Sequence, residues 1–199
     1  RVGDGAEDSL AAPLRFLLSD RSTFVTGQVM DVTKPTVGAT SFQWTRPLDS
    51  KVALVTGAAR GIGAATAHAL GSLGAHVICL DRPQDDGPLG RVAQEVGGSI
   101  LLQDITEDGA ADRIAREILA LKGGVDVVVH NAGITRDKTL ARMKSEWWDQ
   151  AVDVNLGAVC RITERLRKDV LNPKGRLIFL SSVAGIAGNY GQTNYGASK

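Results

Sequence analysis

The chain has 199 residues, enough for one α/β domain with a substantial core, and 23 Lys plus Arg against 22 Asp plus Glu leave a net charge of +1. There is no basic stripe and no apolar run near the roughly 18 residues of a membrane helix, so neither nucleic acid nor membrane is an expected partner. Asp4, Glu7 and Asp8 argue against a signal peptide, and Cys79 and Cys160, each in an apolar pattern, read as reduced core residues of a cytoplasmic protein. His68, His76 and His130 lack ligand spacing and read as structural histidines, so no metal site is expected. Arg1 opens the sequence and Lys199 falls within an apparent helix, which reads as an internal fragment.

Residues 1 to about 12 are polar and rich in Gly and Asp. Pro13 to Ser19 reads as a short apolar helix end, and Ser22 to Val32 as a turn followed by a β-rich run. Residues 33–50, with Pro35, Gly38 and Pro47, have linker composition. From Lys51 the rhythm becomes alternating strands and helices. Strands are expected at 51–56, 75–80, 99–103, 125–129 and 176–180. Helices are expected at 64–73 and 91–96, from a Thr106 cap through Ile114, Ile118 and Leu121, and along one long stretch from about Ser145 to Val170. Residues 84–90 read as a turn-rich loop. In the long stretch, one of Trp147 and Trp148 is expected in the core and the other at the surface. The pattern predicts a doubly wound parallel sheet with right-handed crossovers, its ligand outside the carboxyl ends of the strands. Asp81, Asp104, Asn131 and Ser182 all fall at such ends.

The segment Lys51 to Gly63 is a buried strand, then Gly57, Gly61 and Gly63, then a helix start. In that context the glycines allow a sharp turn, backbone approach to a pyrophosphate and close helix packing, with helix N–H groups facing the phosphates. Asp81 stands where a carboxylate accepts from both ribose hydroxyls of an adenosine. A 2′-phosphate there meets a like charge, which favours NAD over NADP, although Arg60 and Arg82 could offset it. Asp81 as a solvated strand end, and Asp104 as a helix cap rather than an adenine contact, stay open. Tyr195 and Lys199 are four apart, on one helix face, where an ammonium favours phenolate and makes the phenol usable as a general acid. A serine from a neighbouring strand end could hold the reacting carbonyl oxygen.

The residues Thr56 to Gly63 (TGAARGIG), Asn131-Ala132-Gly133, Asn155, Ser182 and Tyr195-Gly-Ala-Ser-Lys199 together resemble the short-chain dehydrogenase/reductase family. The runs NAGITRDKTLARM and SSVAGIAGNYGQTNYGASK resemble its 3-oxoacyl-acyl-carrier-protein reductases most closely. The resemblance implies a Rossmann sheet, truncated here at its C-terminal side, and hydride transfer between a nicotinamide and a 3-oxoacyl thioester carried on acyl carrier protein or CoA. It implies Tyr195 as proton donor, Ser182 on the carbonyl oxygen and Lys199 on the phenol and the nicotinamide ribose. Asn155 would hold a water at a helix kink. Gly57, Arg60, Gly61, Ile62, Gly63, Asp81, Asp104, Ile105, Asn131, Ala132, Gly133, Tyr195 and Lys199 would line the cofactor cleft. His130 stands where an asparagine is more usual.

The resemblance further implies that a substrate lid, two strands and much of a homo-oligomer interface follow Lys199, and that the isolated fragment is inactive. Residues 1–50 resemble the last helix and strand of a preceding domain of the same family plus a linker, the tandem, high-molecular-weight reductase form, which is associated with NADH. Residues 51–199 are then the second, dinucleotide-binding domain. A dehydrogenase of other small alcohols, and a nucleotide-binding module without turnover, are the alternative readings.

Overall fold

Five short apolar runs form one parallel sheet in the computed structural model, which describes residues 2–4, 6, 9–19, 22, 25, 28–33 and 46–199. The strands are β1 (Val52–Thr56), β2 (His76–Asp81), β3 (Ser99–Leu102), β4 (Val125–His130) and β5 (Leu171–Phe179). Their order is β3-β2-β1-β4-β5 and every pair is parallel. Register sets Thr56 opposite Leu80 and Asp81 opposite Leu102, so the carboxyl ends of β1, β2 and β3 finish along one edge. Order reverses between β1 and β4. Adjacent crossovers leave there on opposite faces and a crevice opens at the strand ends.

In β1, β2 and β4 successive side chains feed two separate cores, which is why these strands read as continuous apolar runs, whereas at the sheet edges β3 buries only Leu101 and β5 has no fully buried residue. Leu54, Ile78, Leu80 and Val128 pack with Ile114 and Ile118 of α4 (Ala110–Lys122) and with Ile162 and Leu166 of α6 (Ala158–Asp169). Ala53, Val55, Val77 and Val129 pack with Ala67 of α2 (Gly61–Ser72) and with Leu89, Val92 and Ala93 of α3 (Asp86–Val96). The expected doubly wound parallel sheet is the fold observed.

Several expected boundaries move. The loop expected at 84–90 is helical: a 3₁₀ turn at Pro83–Asp85 leads into α3 at Asp86, not at Arg91. Proline preset for a helix start and buried Leu89 outweigh the poor propensity of Gly87 and Gly90. Thr106 caps no helix. Its N–H and hydroxyl donate to Asp104 Oδ1 at 2.9 and 2.7 Å, and α4 starts later, after Gly109. The stretch expected as one long helix is α5 (Ser145–Val152), a π-helical turn at Asp153–Gly157, and α6. The widened turn rotates Leu156 out to solvent, and Trp147 and Trp148 are both half-buried instead of divided between core and surface. β5 begins at Leu171 rather than Arg176, with a register shift against β4 between Val125 and Val127 accommodating Pro173 and Gly175. Cys79 is buried as expected, whereas Cys160 lies on the exposed side of α6.

Contacts divide the chain into Arg1–Trp44 and Thr45–Lys199. In the first unit α1 (Ala11–Leu17) starts two residues before the expected helix, and Val2 and Val32 form an isolated parallel bridge. The β-rich run expected at 22–32 shows no strand among its described residues, and most of the expected linker, residues 34–45, lies outside them. Among the described residues no helix is long and apolar enough to cross a membrane.

Candidate active site

The turn after β1 is where the glycines act. Gly57 has φ +68°, and Gly61 has φ +57° with open space where a Cβ would project. Gly63 is closed in: a Cβ there would lie 2.0 Å from the Gly57 carbonyl oxygen and 2.5 Å from Asn131 Nδ2. Among the described residues no side chain caps α2, so its first N–H groups stay available at the cleft.

Asn131 fastens β4 to this turn. Its Nδ2 donates to the carbonyls of Thr56 (2.9 Å) and Gly57 (3.1 Å), while the backbone N–H groups of Asn131 and Ala132 donate to Thr56 Oγ1. The end of β2 supplies Asp81. One carboxylate oxygen accepts from the Ala59 N–H at 3.0 Å and the other from the Arg82 N–H at 2.9 Å, which fixes the group and leaves its outer lone pairs free. Asp104 does cap a turn, through Thr106, and still lines the cleft.

The cleft is about 630 Å³ and is lined by Gly57, Arg60, Ile62, Asp81, Asp104 and Ile105 on one side and by Asn131, Ala132 and Gly133 on the other. Gly63 lies beneath it against Gly57, not on its wall. Arg82, weighed from the sequence as a cation beside Asp81, also reaches it, as do Gln103, Arg136 and Gln150, which were not picked out.

At the Gly133 end the second group assembles. The place a Gly133 Cβ would occupy is 3.0 Å from Asn155 Oδ1 and 3.4 Å from Lys199 Nζ. Lys199 donates to the Leu180 carbonyl at 3.1 Å, lies 5.9 Å from the Tyr195 ring centroid, and has its pKa held below the ordinary lysine value by burial. Ser182 caps α7 (Val183–Ala187), accepting from the Ala184 N–H at 3.2 Å; this leaves its hydroxyl proton to donate elsewhere. Ser181 instead donates to the Lys199 carbonyl. A Cβ on Gly196 would sit 2.9 Å from the Ala184 carbonyl oxygen, so the segments carrying Ser182 and Tyr195 touch.

Asn155 is only 5% exposed and sits in the π-helical turn. Its Nδ2 donates to the Ile134 carbonyl (3.0 Å) and to Ser198 Oγ (2.9 Å), and Oδ1 accepts from the Ile134 N–H (2.8 Å). Ser198 in turn donates to the Tyr195 carbonyl. Asn194, fully buried, donates to the carbonyls of Arg136 and Trp147 and accepts from the Tyr195 N–H, so it anchors α8 (Thr193–Ser198). Nothing in the spacing singled out Asn194.

His130 is 3% exposed, its ring stacked on Phe179 at 5.2 Å. Its Nε2 meets Thr163 Oγ1 at 3.0 Å, whereas Nδ1 has no partner among the described residues, so it is not the fully satisfied histidine expected. Burial lowers its pKa from 6.5 to about 4. The unfolded chain therefore takes up a proton first as pH falls, and stability present above pH 6.5 is lost toward pH 4, on the order of 3 kcal/mol in all. Denaturant unfolding measured across that window should show the loss, and His130→Asn should flatten it; equal slopes for the two proteins would remove His130 as the cause. His76 pairs with Ser99 and His68 with Glu95, and among the described residues no group of three His, Cys, Asp or Glu could hold a metal.

A family model for short chain dehydrogenases matches residues 51–199. Curated relatives include the 3-oxoacyl-acyl-carrier-protein reductase FabG of Escherichia coli (strain K12), 38% identical over 152 residues, covering 76% of this chain and 62% of the relative. The 3-oxoacyl-acyl-carrier-protein reductase of Synechocystis sp. is 42% identical over 158 residues, covering 76% and 64%. The acetoacetyl-CoA reductase of Acinetobacter sp. is 38% identical over 157 residues, covering 76% and 63%. The chain spans a little over three-fifths of the length of the curated relatives it matches. The glycine turn and the β2-end carboxylate line one crevice; Ser182, Tyr195 and Lys199 are not on its wall, although Lys199 adjoins Gly133 at its end. With the family match running from Lys51 to Lys199, the chain belongs to the short-chain dehydrogenase family.

Proposed function

We propose that the cleft binds a nicotinamide dinucleotide, NADH in preference to NADPH, and that the protein reduces a 3-oxoacyl thioester to the 3-hydroxy form. The observation that carries this is continuity: one crevice runs from the glycine turn and Asp81 to Gly133, and Lys199 adjoins Gly133. The residues fit the group. Open space faces Gly61, unpaired N–H groups of α2 suit a pyrophosphate, and Asp81 has lone pairs for two ribose hydroxyls. Bound there, the dinucleotide supplies the hydride.

The chain's own residues manage the proton. Tyr195 gives its phenolic proton to the substrate oxygen, which the Ser182 hydroxyl also holds by donation. Lys199 stabilises the resulting phenolate and then resupplies the proton. Both Nδ2 hydrogens of Asn155 are committed, so its Oδ1, flanking the same point as Lys199 Nζ, is the atom with capacity for a relay water. Exposed Val183, Ile186 and Tyr190 beside Ser182 give an apolar surface that supports an acyl chain over a small alcohol.

This reading takes acyl carrier protein or CoA as the thioester's carrier, a homo-oligomer as the working state and the cytoplasm as the setting. Two free thiols are consistent with that compartment. It also takes residues 1–50 as the tail of a preceding domain plus a linker, supported by the contact division near residue 44. The test is loss of nicotinamide absorbance with acetoacetyl-CoA, run beside simple ketones. Preferential turnover of the thioester is expected, and turnover of simple ketones alone would overturn the substrate assignment.

A further inference from the structure

We propose that Asp85 sets the choice between NADH and NADPH by withdrawing two arginines from the adenosine end of the cleft. The proposal rests on the dinucleotide reading above. Arg60 and Arg82 both line the cleft beside Asp81, and in the sequence they are the cations able to receive a 2′-phosphate. In the structure both turn to one carboxylate. Asp85 pairs with Arg60 through Oδ1 and with Arg82 through Oδ2, at 2.8 Å to the latter's Nη2 and 3.2 Å to its Nε.

Asp85 is 6% exposed, whereas both arginine side chains are largely open to solvent. The buried partner is therefore the fixed one, and the arginines come to it. The 3₁₀ turn at Pro83–Asp85, set directly after β2, aims the carboxylate back at the glycine turn. Asp81 and Asp85 cancel the two arginines, and Asp104 on the same cleft adds a further negative charge. A 2′-phosphate would meet Asp81 with neither Arg60 nor Arg82 released to compensate, while a 2′-hydroxyl needs no cation. Asp85 thus acts as a specificity residue through the arginines, without touching the nucleotide.

Removing its charge should release them. Asp85→Asn and Asp85→Ser make the same change, and reading both keeps the test standing if one fails to fold. Dissociation constants for NADH, NADPH, AMP and adenosine 2′,5′-bisphosphate, measured by calorimetry, are the readout. Either variant should tighten the 2′-phosphorylated ligands by about tenfold or more, the scale of a charge-assisted hydrogen bond, with NADH and AMP little changed. Asp85→Glu should keep the wild-type ratio. In an Arg60→Gln, Arg82→Gln background the gain should vanish. If wild type binds NADH and AMP but the charge-removing variants leave the NADPH-to-NADH ratio unchanged, or weaken both nucleotides alike, the Asp85 assignment is overturned and the cleft reading survives. If wild type binds none of the four, both fall together.

Discussion

In a form of the protein that turns over, Tyr195→Phe should lower thioester reduction by about 10²- to 10⁴-fold while leaving folding and the NADH dissociation constant unchanged. The expectation of intact folding comes from how α8 is held. Its backbone is fixed by Asn194, which ties Arg136, Trp147 and Tyr195, and by Ser198, which joins Asn155 to the Tyr195 carbonyl; the phenolic oxygen takes no part in either. Only the proton is lost. Stopped turnover with retained binding, read from nicotinamide absorbance and calorimetry together, is therefore the specific signature. A variant as fast as wild type would place the proton donor elsewhere. A variant that also loses NADH would show that the hydroxyl serves binding.

Gly63→Ala should cost about 3 kcal/mol or more, at the upper end of core overpacking, and should weaken dinucleotide binding with it. The added methyl would meet the Gly57 carbonyl oxygen at 2.0 Å, its carbon at 2.8 Å and Asn131 Nδ2 at 2.5 Å. Two of these are backbone atoms, which cannot rotate away, so either α2 or the turn must shift. Gly61→Ala is the control. It has open space and only a left-handed φ of +57° to sustain, a cost of about 1–2 kcal/mol. Chemical denaturation of the two variants should rank them in that order. Equal losses would mean that φ strain, rather than helix-to-strand contact, governs the turn.

The sheet was legible because its three central strands are buried on two faces and therefore read as unbroken apolar runs, and because glycine turns punctuate it. Asp81, Asn131 and Ser182 could be singled out because strand ends are where a parallel sheet displays side chains. Three things were hidden. Asp85 lies in a Gln-Asp-Asp run between prolines and glycines that looks solvated, and only the fold turns its carboxylate toward Arg60 and Arg82. The π-helical turn leaves no mark in a 3.6-residue pattern read across it; only the family resemblance, through a kink at Asn155, pointed to it. Cys160 followed the same apolar periodicity yet lies two positions from both Ala158 and Ile162, on the side of α6 away from the buried stripe of Ala158, Ile162 and Leu166. Thr56 carries chemistry of another sort. Its hydroxyl accepts two backbone N–H groups, a role that no spacing rule marks.

That hydroxyl and the Asn131 amide stitch the first and fourth strands together where the crevice begins, with four hydrogen bonds in all. The crevice floor is thereby pinned and cannot spread. Any breathing needed to admit a cofactor or expel it must come from the rims, and hydrogen exchange would find its slowest local amides at residues 131 and 132.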